Sequence, residues 1–240
     1  MIRLRREELD RAKAHVEHAL DRLGDLGTLF GKYEIAAQAS PPITPDICAH
    51  VFPRERGTRL ALVEIAQLQG CYADAMANVE RLLQIDATDP VMLSFSELAL
   101  DSPEDRALMD RLVRATMHVE NETPVDTAIR LYRSRALVAL GMPDATIDVF
   151  TLTNRRRKDR PEGLLHQIHY ERALPYEAAG QRARARSEFE RTCAADSGFE
   201  DVRARLELAR TFEFQLNRER ATRHRDRNDH SIKVTDRSCM

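Results

Sequence analysis

Apolar residues recur three or four positions apart along most of the chain, with charged residues between them. This spacing places the apolar residues on one face of a helix. It predicts one helix over 3–24 and a second over 28–38, after which the prolines of 40–45 break the pattern. No segment alternates convincingly as a strand would. The pattern therefore predicts an all-α protein.

From residue 56 onward the predicted helices come in pairs separated by short breaks. The first of them ends at Gly70 and the second near Asp89-Pro90. The others cover 91–100, 104–119, 125–140, 143–153, 163–179, 182–195 and 199–217. Residues 218–240 are polar and show no helical spacing, so we predict that this tail is disordered.

Three glycines, Gly70, Gly141 and Gly180, mark an internal repeat. Each follows an apolar or aromatic residue by four positions, and precedes a small residue by five and a large apolar residue by nine. These residues are, in order, Ala66, Leu137 and Tyr176; Ala75, Thr146 and Ala185; and Val79, Phe150 and Phe189.

The distances between the glycines give the length of the repeat. Gly141 and Gly180 are 39 residues apart, and the 71 residues from Gly70 to Gly141 accommodate two repeats of about 35 residues. The missing turn falls near 101–102, so we predict four helix pairs, one of them degenerate.

The repeat has a physical explanation. Glycine at the end of a helix adopts a left-handed conformation that costs other residues more. The small residue lets the two helices of a pair approach, and the large residue packs against the following pair. One pair cannot bury its own apolar face, so neighbouring pairs must stack.

The segment 170–189 resembles a tetratricopeptide repeat (TPR). Members of that family have small, aromatic, glycine, small and aromatic residues at five positions of the repeat. In this segment those positions are filled, in the same order, by Ala173, Tyr176, Gly180, Ala185 and Phe189. The resemblance covers about 56–200 and is weakest over 91–122. It implies a TPR-like α-solenoid, in which antiparallel helix pairs form a right-handed superhelix that holds protein or peptide partners in a concave groove. It implies no catalysis.

These observations divide the chain into three parts. We predict an N-terminal helical segment (1–45), TPR-like helical repeats (46–217) and the polar tail (218–240). The helix over 3–24 could cap its own chain or pair with a second copy, because the end helices of a solenoid expose apolar faces.

The resemblance also implies which residues line the groove. They lie on the first helix of three of the pairs and are Leu60, Glu64, Gln67, Leu131, Arg135, Val138, Gln167, Tyr170, Leu174 and Glu177. The alternative interpretation is that individual members of this set serve ordinary packing. The lysine and asparagine residues with which chaperone-binding members grip a terminal carboxylate are absent, so we do not predict that kind of clamp.

Charge is distributed unevenly, although the net charge is only −2. Residues 155–240 hold 20 Lys and Arg against 15 Asp and Glu, so this part is basic and the remainder acidic. The run Arg155, Arg156, Arg157 and Lys158 either meets nucleic acid or an acidic partner, or forms a solvated loop between repeats. No aromatic residues interleave with it, which weakens a stacking mode for single-stranded nucleic acid.

Other classes of function find little support. The four cysteines show no regular spacing, and the first residues show no apolar leader, which favours free thiols in the cytoplasm. His15 with His18 and His166 with His169 share helix faces, but no further ligands complete a metal site. No nucleophile elbow, phosphate-binding loop or zinc-protease motif is present, so we predict no catalytic residue, no metal and no cofactor.

We therefore expect a non-catalytic interaction module, or adaptor, that binds a protein segment in its groove. Two alternatives stay open: a regulatory sensor of a peptide or small ligand, and a nucleic-acid-associated protein that uses the basic C-terminal part. A homo-oligomer is also open, and no run of residues is apolar enough to predict a membrane span.

Overall fold

The computed structural model describes residues 2–23, 32, 42–44, 47–48, 54–85, 87–209 and 211. Their helices are α1 (Ile2–Asp21), α2 (Glu55–Leu68), α3 (Tyr72–Ile85), α4 (Asp89–Ala99), α5 (Arg106–Thr116), α6 (Pro124–Ala139), α7 (Pro143–Thr153), α8 (Glu162–Ala178) and α9 (Arg182–Ala195). Residues 202–209 are also helical. The helix expected over 28–38, the end of the helix expected over 199–217 and the tail 218–240 lie outside the described residues, apart from single positions.

Two short strands were not expected. The strands β1 (Pro42–Thr44) and β2 (Ile47–Cys48) pair antiparallel, with Pro42 opposite Cys48 and Thr44 opposite Ile47. Strands of three and two residues are too short to show an alternating pattern, so the sequence showed only the break. Apart from this hairpin, the regular secondary structure of the described residues is all helical.

The helices pack in the order that stacked pairs require. Within the described residues of the first compact unit (Met1–Ile168), α2 packs on α3, α4 on α5 and α6 on α7. Each first helix also packs on the first helix of the next pair, α2 on α4 and α4 on α6. The predicted fold class, a TPR-like solenoid of antiparallel helix pairs, is confirmed.

The second pair is degenerate only in sequence. It forms complete helices, α4 and α5, and Phe95 and Leu93 of α4 have no exposed surface. The side chain of Asp105 caps α5 by accepting hydrogen bonds from two backbone amides of its first turn. No residue around 100–105 has a positive φ, so this pair ends its first helix without a left-handed residue.

The three predicted glycines do have the conformation that their role requires. Gly70, Gly141 and Gly180 have φ values of 72°, 77° and 70°. The amide of the residue after each one donates to a carbonyl five residues back, as from Cys71 to Ala66. The glycines thus close the first helices of three pairs.

The helix α1 packs against α2. The Gln69 side-chain amide donates to the Asp10 carboxylate at 2.6 Å, and Lys13 Nζ lies 2.9 Å from the Asp74 carboxylate on α3. In this structure α1 therefore covers the first pair of its own chain.

Two arginines, one buried and one half-buried, close the end of α5, and the sequence did not indicate this role. Arg133 on α6 donates to the Thr116 carbonyl at 2.8 Å, and Arg130 donates to the Val119 carbonyl at 3.3 Å. Burial and the neighbouring Arg130 cation lower the pKa of Arg133 to about 10. Cations at the carboxyl end of a helix oppose its dipole, so this arrangement stabilises the turn between α5 and α6.

The second compact unit (His169–Met240) contains most of α8, and α9 and the helix at 202–209. Its core is formed by Ala173, Tyr176, Ala185, Phe189 and Val202, all buried. The small and aromatic residues predicted from the repeat therefore do pack in the interior of this unit.

A candidate binding face on the first helices

The groove residues predicted on α2 and α6 fall into two groups. Leu60 and Leu131 are only 4% and 2% exposed and belong to the hydrophobic core. Glu64, Gln67 and Arg135 are half-buried, and Val138 is 54% exposed. The structure therefore places the two leucines as packing residues and leaves the polar members accessible.

The helix α4 adds Glu97, which the sequence analysis missed, to this surface. Burial and the neighbouring Glu64 carboxylate raise the pKa of Glu97 to about 7, and a hydrogen bond with the Gln67 side chain opposes this rise. Burial also raises the pKa of Glu64. The two carboxylates, on adjacent first helices, are thus close enough to repel each other.

The helix α6 contributes the balancing charge. The Arg135 cation lowers the pKa of Glu97, and its guanidinium lies 5.1 Å from the centre of the Tyr132 ring. We call Glu64, Gln67, Glu97 and Arg135 the first-helix face. It presents two carboxylates, an amide and a guanidinium from three successive first helices, a set that can accept and donate hydrogen bonds to a polar chain.

Glu97 was not predicted as a groove residue because the second pair lacks the glycine that marks the end of the first helix in the other pairs. Glu97 is the only charged residue in the second half of α4, and eight of the eleven residues of this helix are buried. A glutamate within so apolar a stretch of sequence was the signal that could have pointed to it. The strand β1 also lies against α4, which is already packed on α2, α3, α5 and α6.

The remaining predicted groove residues lie on α8, where Gln167 and Leu174 are half-buried. In the second unit, the Tyr170 hydroxyl donates to the Asp201 carboxylate, and the Tyr170 ring centre is 5.7 Å from that of Phe199. Glu177 accepts a hydrogen bond of 2.7 Å from Arg205. Tyr170 and Glu177 are therefore engaged by the chain that follows α9.

A buried ionic cluster in the second unit was also missed. Glu188 on α9 is 5% exposed and lies 2.7 Å from His169 Nδ1, 2.6 Å from Arg172 Nη2 and 3.0 Å from Arg191 Nη1. Burial disfavours the Glu188 carboxylate, but the hydrogen bonds from His169 and Arg172 outweigh burial and lower its pKa. The cluster ties α8 to α9 and has a structural role.

The sequence does contain a signal for such contacts between the two helices of a pair, namely the residue eleven positions before each glycine. The residues at this position are Arg59, Arg130 and His169. Each one contacts the second helix of its own pair. Arg59 donates to Asn78 at 3.4 Å, and Arg130 donates to the Thr153 hydroxyl at 2.9 Å. A basic residue at this offset thus joins the two helices of three pairs.

The basic run lies in the loop between α7 and α8. Arg155, Arg156, Arg157 and Lys158 are all exposed. Arg156 pairs with Glu122, and Arg157 Nε lies 3.1 Å from the Asn154 side-chain oxygen. Two cations of the run are therefore engaged within the chain.

The loop itself is held by Arg160, which is buried. Its guanidinium donates to the Thr127 hydroxyl at 2.6 Å and to the Asn121 carbonyl at 3.0 Å. Asp159 beside it has a φ of 60°. The longer spacing between Gly141 and Gly180 thus corresponds to an ordered loop.

Within the part of the chain that the structure describes, no group of three or more His, Cys, Asp or Glu residues is placed to hold a metal ion. None of the helices among these residues is long and apolar enough to cross a membrane.

No protein-family model matches the sequence, and no curated protein matches it. Solved structures do match. A crystal structure of MamA has a TM-score of 0.55 and 15% sequence identity, over 72% of this chain and 88% of that one. TTC0263, a thermophilic TPR protein of Thermus thermophilus, has a TM-score of 0.52 and 16% identity, over 85% and 98%. At these identities the comparisons show the TPR-like fold.

Proposed function

We propose that this protein is a non-catalytic interaction module that binds a segment of a partner protein on the first-helix face. The observation that carries the proposal is the convergence of Glu64, Gln67, Glu97 and Arg135 from α2, α4 and α6. Half-buried charges that remain accessible on a packed scaffold are typical of recognition surfaces, because a rigid scaffold fixes their positions.

The chemistry of the face favours a polar partner segment. A partner carboxylate or carbonyl pairs with Arg135, and partner amides or cations pair with the two glutamates. Glu97 lies close to the Glu64 carboxylate, so a hydrogen-bond donor from the partner would relieve the repulsion between them. The exposed Val138 offers apolar contact at the edge.

The test is affinity purification from the cells that express the protein, with nuclease and moderate salt. The variant is Arg135→Glu, and Arg155→Glu on the exposed loop is its matched control, since both reverse one charge. We expect one stoichiometric protein with the wild type and with Arg155→Glu, and its loss with Arg135→Glu. Circular dichroism checks that both variants fold.

Two results would contradict the proposal. If Arg135→Glu retains every partner, the first-helix face does not bind them. If partners vanish with nuclease or with Arg155→Glu instead, the basic loop and nucleic acid take the place of the face. The salt slope of binding then reports how many phosphates are contacted.

A further inference from the structure

A cleft opens in the first unit between α3, the end of α4 and α5. It has a volume of about 400 Å³. It is lined by Tyr72, Ala73, Met76, Leu98, Asp101, Ser102 and Leu108. We call it the α3–α5 cleft. Its walls are apolar, since Leu98 is buried and Met76 and Leu108 are partly buried against the hydrophobic core.

The rim of the cleft combines an aromatic ring with a carboxylate. Tyr72 is 54% exposed, and Asp101 is exposed at the carboxyl end of α4. The last turn of α4 contains no basic residue. Because a helix is negative at this end, α4 itself offers nothing to balance the Asp101 charge.

The groups around Asp101 add to this imbalance. Its carboxylate interacts unfavourably with that of Glu97, and partial burial raises its own pKa. Within the described part of the chain no hydrogen bond or ion pair to the Asp101 side chain is present. The rim is therefore a negative site beside an apolar surface.

A lysine of this chain already pairs with an acid that is adjacent in sequence to a cleft residue. Lys13 of α1 places its Nζ 2.9 Å from the carboxylate of Asp74, which follows the cleft residue Ala73. This contact shows that a lysine side chain reaches the first turn of α3 and pairs there with an acid.

We propose that the α3–α5 cleft is a second docking site, which takes a lysine or arginine side chain from a partner protein. The aliphatic stem packs on Met76 and Leu108, and the cationic head lies at Asp101 beside the Tyr72 ring. Long basic side chains combine these two properties, because their stems bury readily while their heads stay polar. A cation is also attracted to the face of an aromatic ring.

Other occupants fit less well. A purely apolar side chain would cover Asp101 without giving it a partner, and burying an unpaired charge is unfavourable. An acidic side chain would be repelled by Asp101 and by the nearby Glu97. The cleft thus selects for positive charge, whereas Arg135 gives the first-helix face a cation of its own.

The experiment starts from a phage-displayed library of linear peptides selected on the full chain. Fluorescein-labelled versions of the selected peptides are titrated with wild type and Asp101→Asn, and Glu104→Gln removes a nearby exposed charge as the matched control. In each peptide the lysine is also replaced by norleucine, which keeps the stem and removes the charge. Arg135→Glu distinguishes peptides that bind the first-helix face.

We expect selected peptides that need one Lys or Arg. Asp101→Asn and the norleucine replacement should each weaken binding about tenfold or more. The two changes combined should weaken binding no more than either change alone, because both remove the same ion pair. Glu104→Gln should leave the affinity unchanged, and Arg135→Glu, which adds no positive charge, should not weaken it. The proposal is overturned if no peptide is selected, if no selected peptide requires a cation, or if Asp101→Asn binds them equally well. None of these three results would contradict the proposed function of the first-helix face.

Discussion

Gly180 shows how one residue controls the end of a helix. Its φ is 70°, and a Cβ built on it meets no atom within 4 Å. The space is therefore open, and any cost of a side chain there comes from the backbone conformation alone.

We predict that Gly180→Val lowers the free energy of unfolding by about 1 kcal/mol or more, because a β-branched residue strongly disfavours positive φ. Urea denaturation measures the change. Gly198→Ala is the matched control, since Gly198 has no positive φ and its Cβ would make an ordinary contact of 3.4 Å with Asp196. Equal stability of wild type and Gly180→Val would contradict the assigned role.

Glu97 makes the stability of the first unit depend on pH. Its pKa rises from 4.5 to about 7 on folding. Between these values the folded protein holds a proton that the unfolded chain has lost, so the contribution of Glu97 to stability is full below pH 4.5 and is lost as the pH rises through 7.

We predict that Glu97→Gln, which is neutral at every pH, removes this loss. Relative to wild type, the variant should gain stability between pH 5 and pH 8, as measured by urea denaturation at both values. Glu104→Gln, on the exposed loop before α5, should show no such gain. The interpretation fails if the difference between Glu97→Gln and wild type is the same at both pH values.

At the scale of elements, the loop between α7 and α8 depends on one buried side chain. Arg160 joins the loop to Thr127 at the start of α6 and to the backbone of Asn121. Loops with such internal bonds keep a fixed path although their sequence is polar.

We predict that Arg160→Ala lowers the free energy of unfolding by about 2 kcal/mol, because it removes hydrogen bonds from a charged group to a buried and a half-buried acceptor. Arg155→Ala in the same loop should change it by less than about 0.5 kcal/mol, since Arg155 is exposed. Thermal or urea unfolding of the two variants provides the comparison. Similar effects of both changes would show that Arg160 does not hold the loop.

The elements that could be predicted are those with local, periodic signals. Phe150 and Phe189 are buried as expected, because their distance from a glycine is set within one helix pair. Contacts between distant segments carry no such period. Glu97, Arg133 and Arg160 acquire their roles from neighbours in other helices, so their residue types alone did not reveal those roles.

At the scale of the whole molecule, α1 completes the first unit. It covers α2 and contributes Asp10 and Lys13 to contacts with Gln69 and Asp74. The exposed face that the first pair of a stack would otherwise present is thereby protected within the same chain.

We predict that deleting residues 2–21 lowers the melting temperature and promotes self-association, because the surface of α2 becomes exposed. Scanning fluorimetry and light scattering measure the two effects. The double variant Asp10→Ala/Lys13→Ala is the control, and it should change the melting temperature little, since exposed polar pairs contribute about 0–1 kcal/mol. An unchanged melting temperature and mass of the deletion would contradict a capping role.

The end of α4 carries a consequence for counting repeats in related chains. Of the four first helices that the structure describes, three end at a glycine with positive φ, but α4 ends at Leu100 in the ordinary helical region. A duplicated helix pair can therefore lose the glycine that ends its first helix and still keep both helices. A search keyed to that glycine would find three copies here, so the number it returns is a lower bound on the number of ancestral duplications.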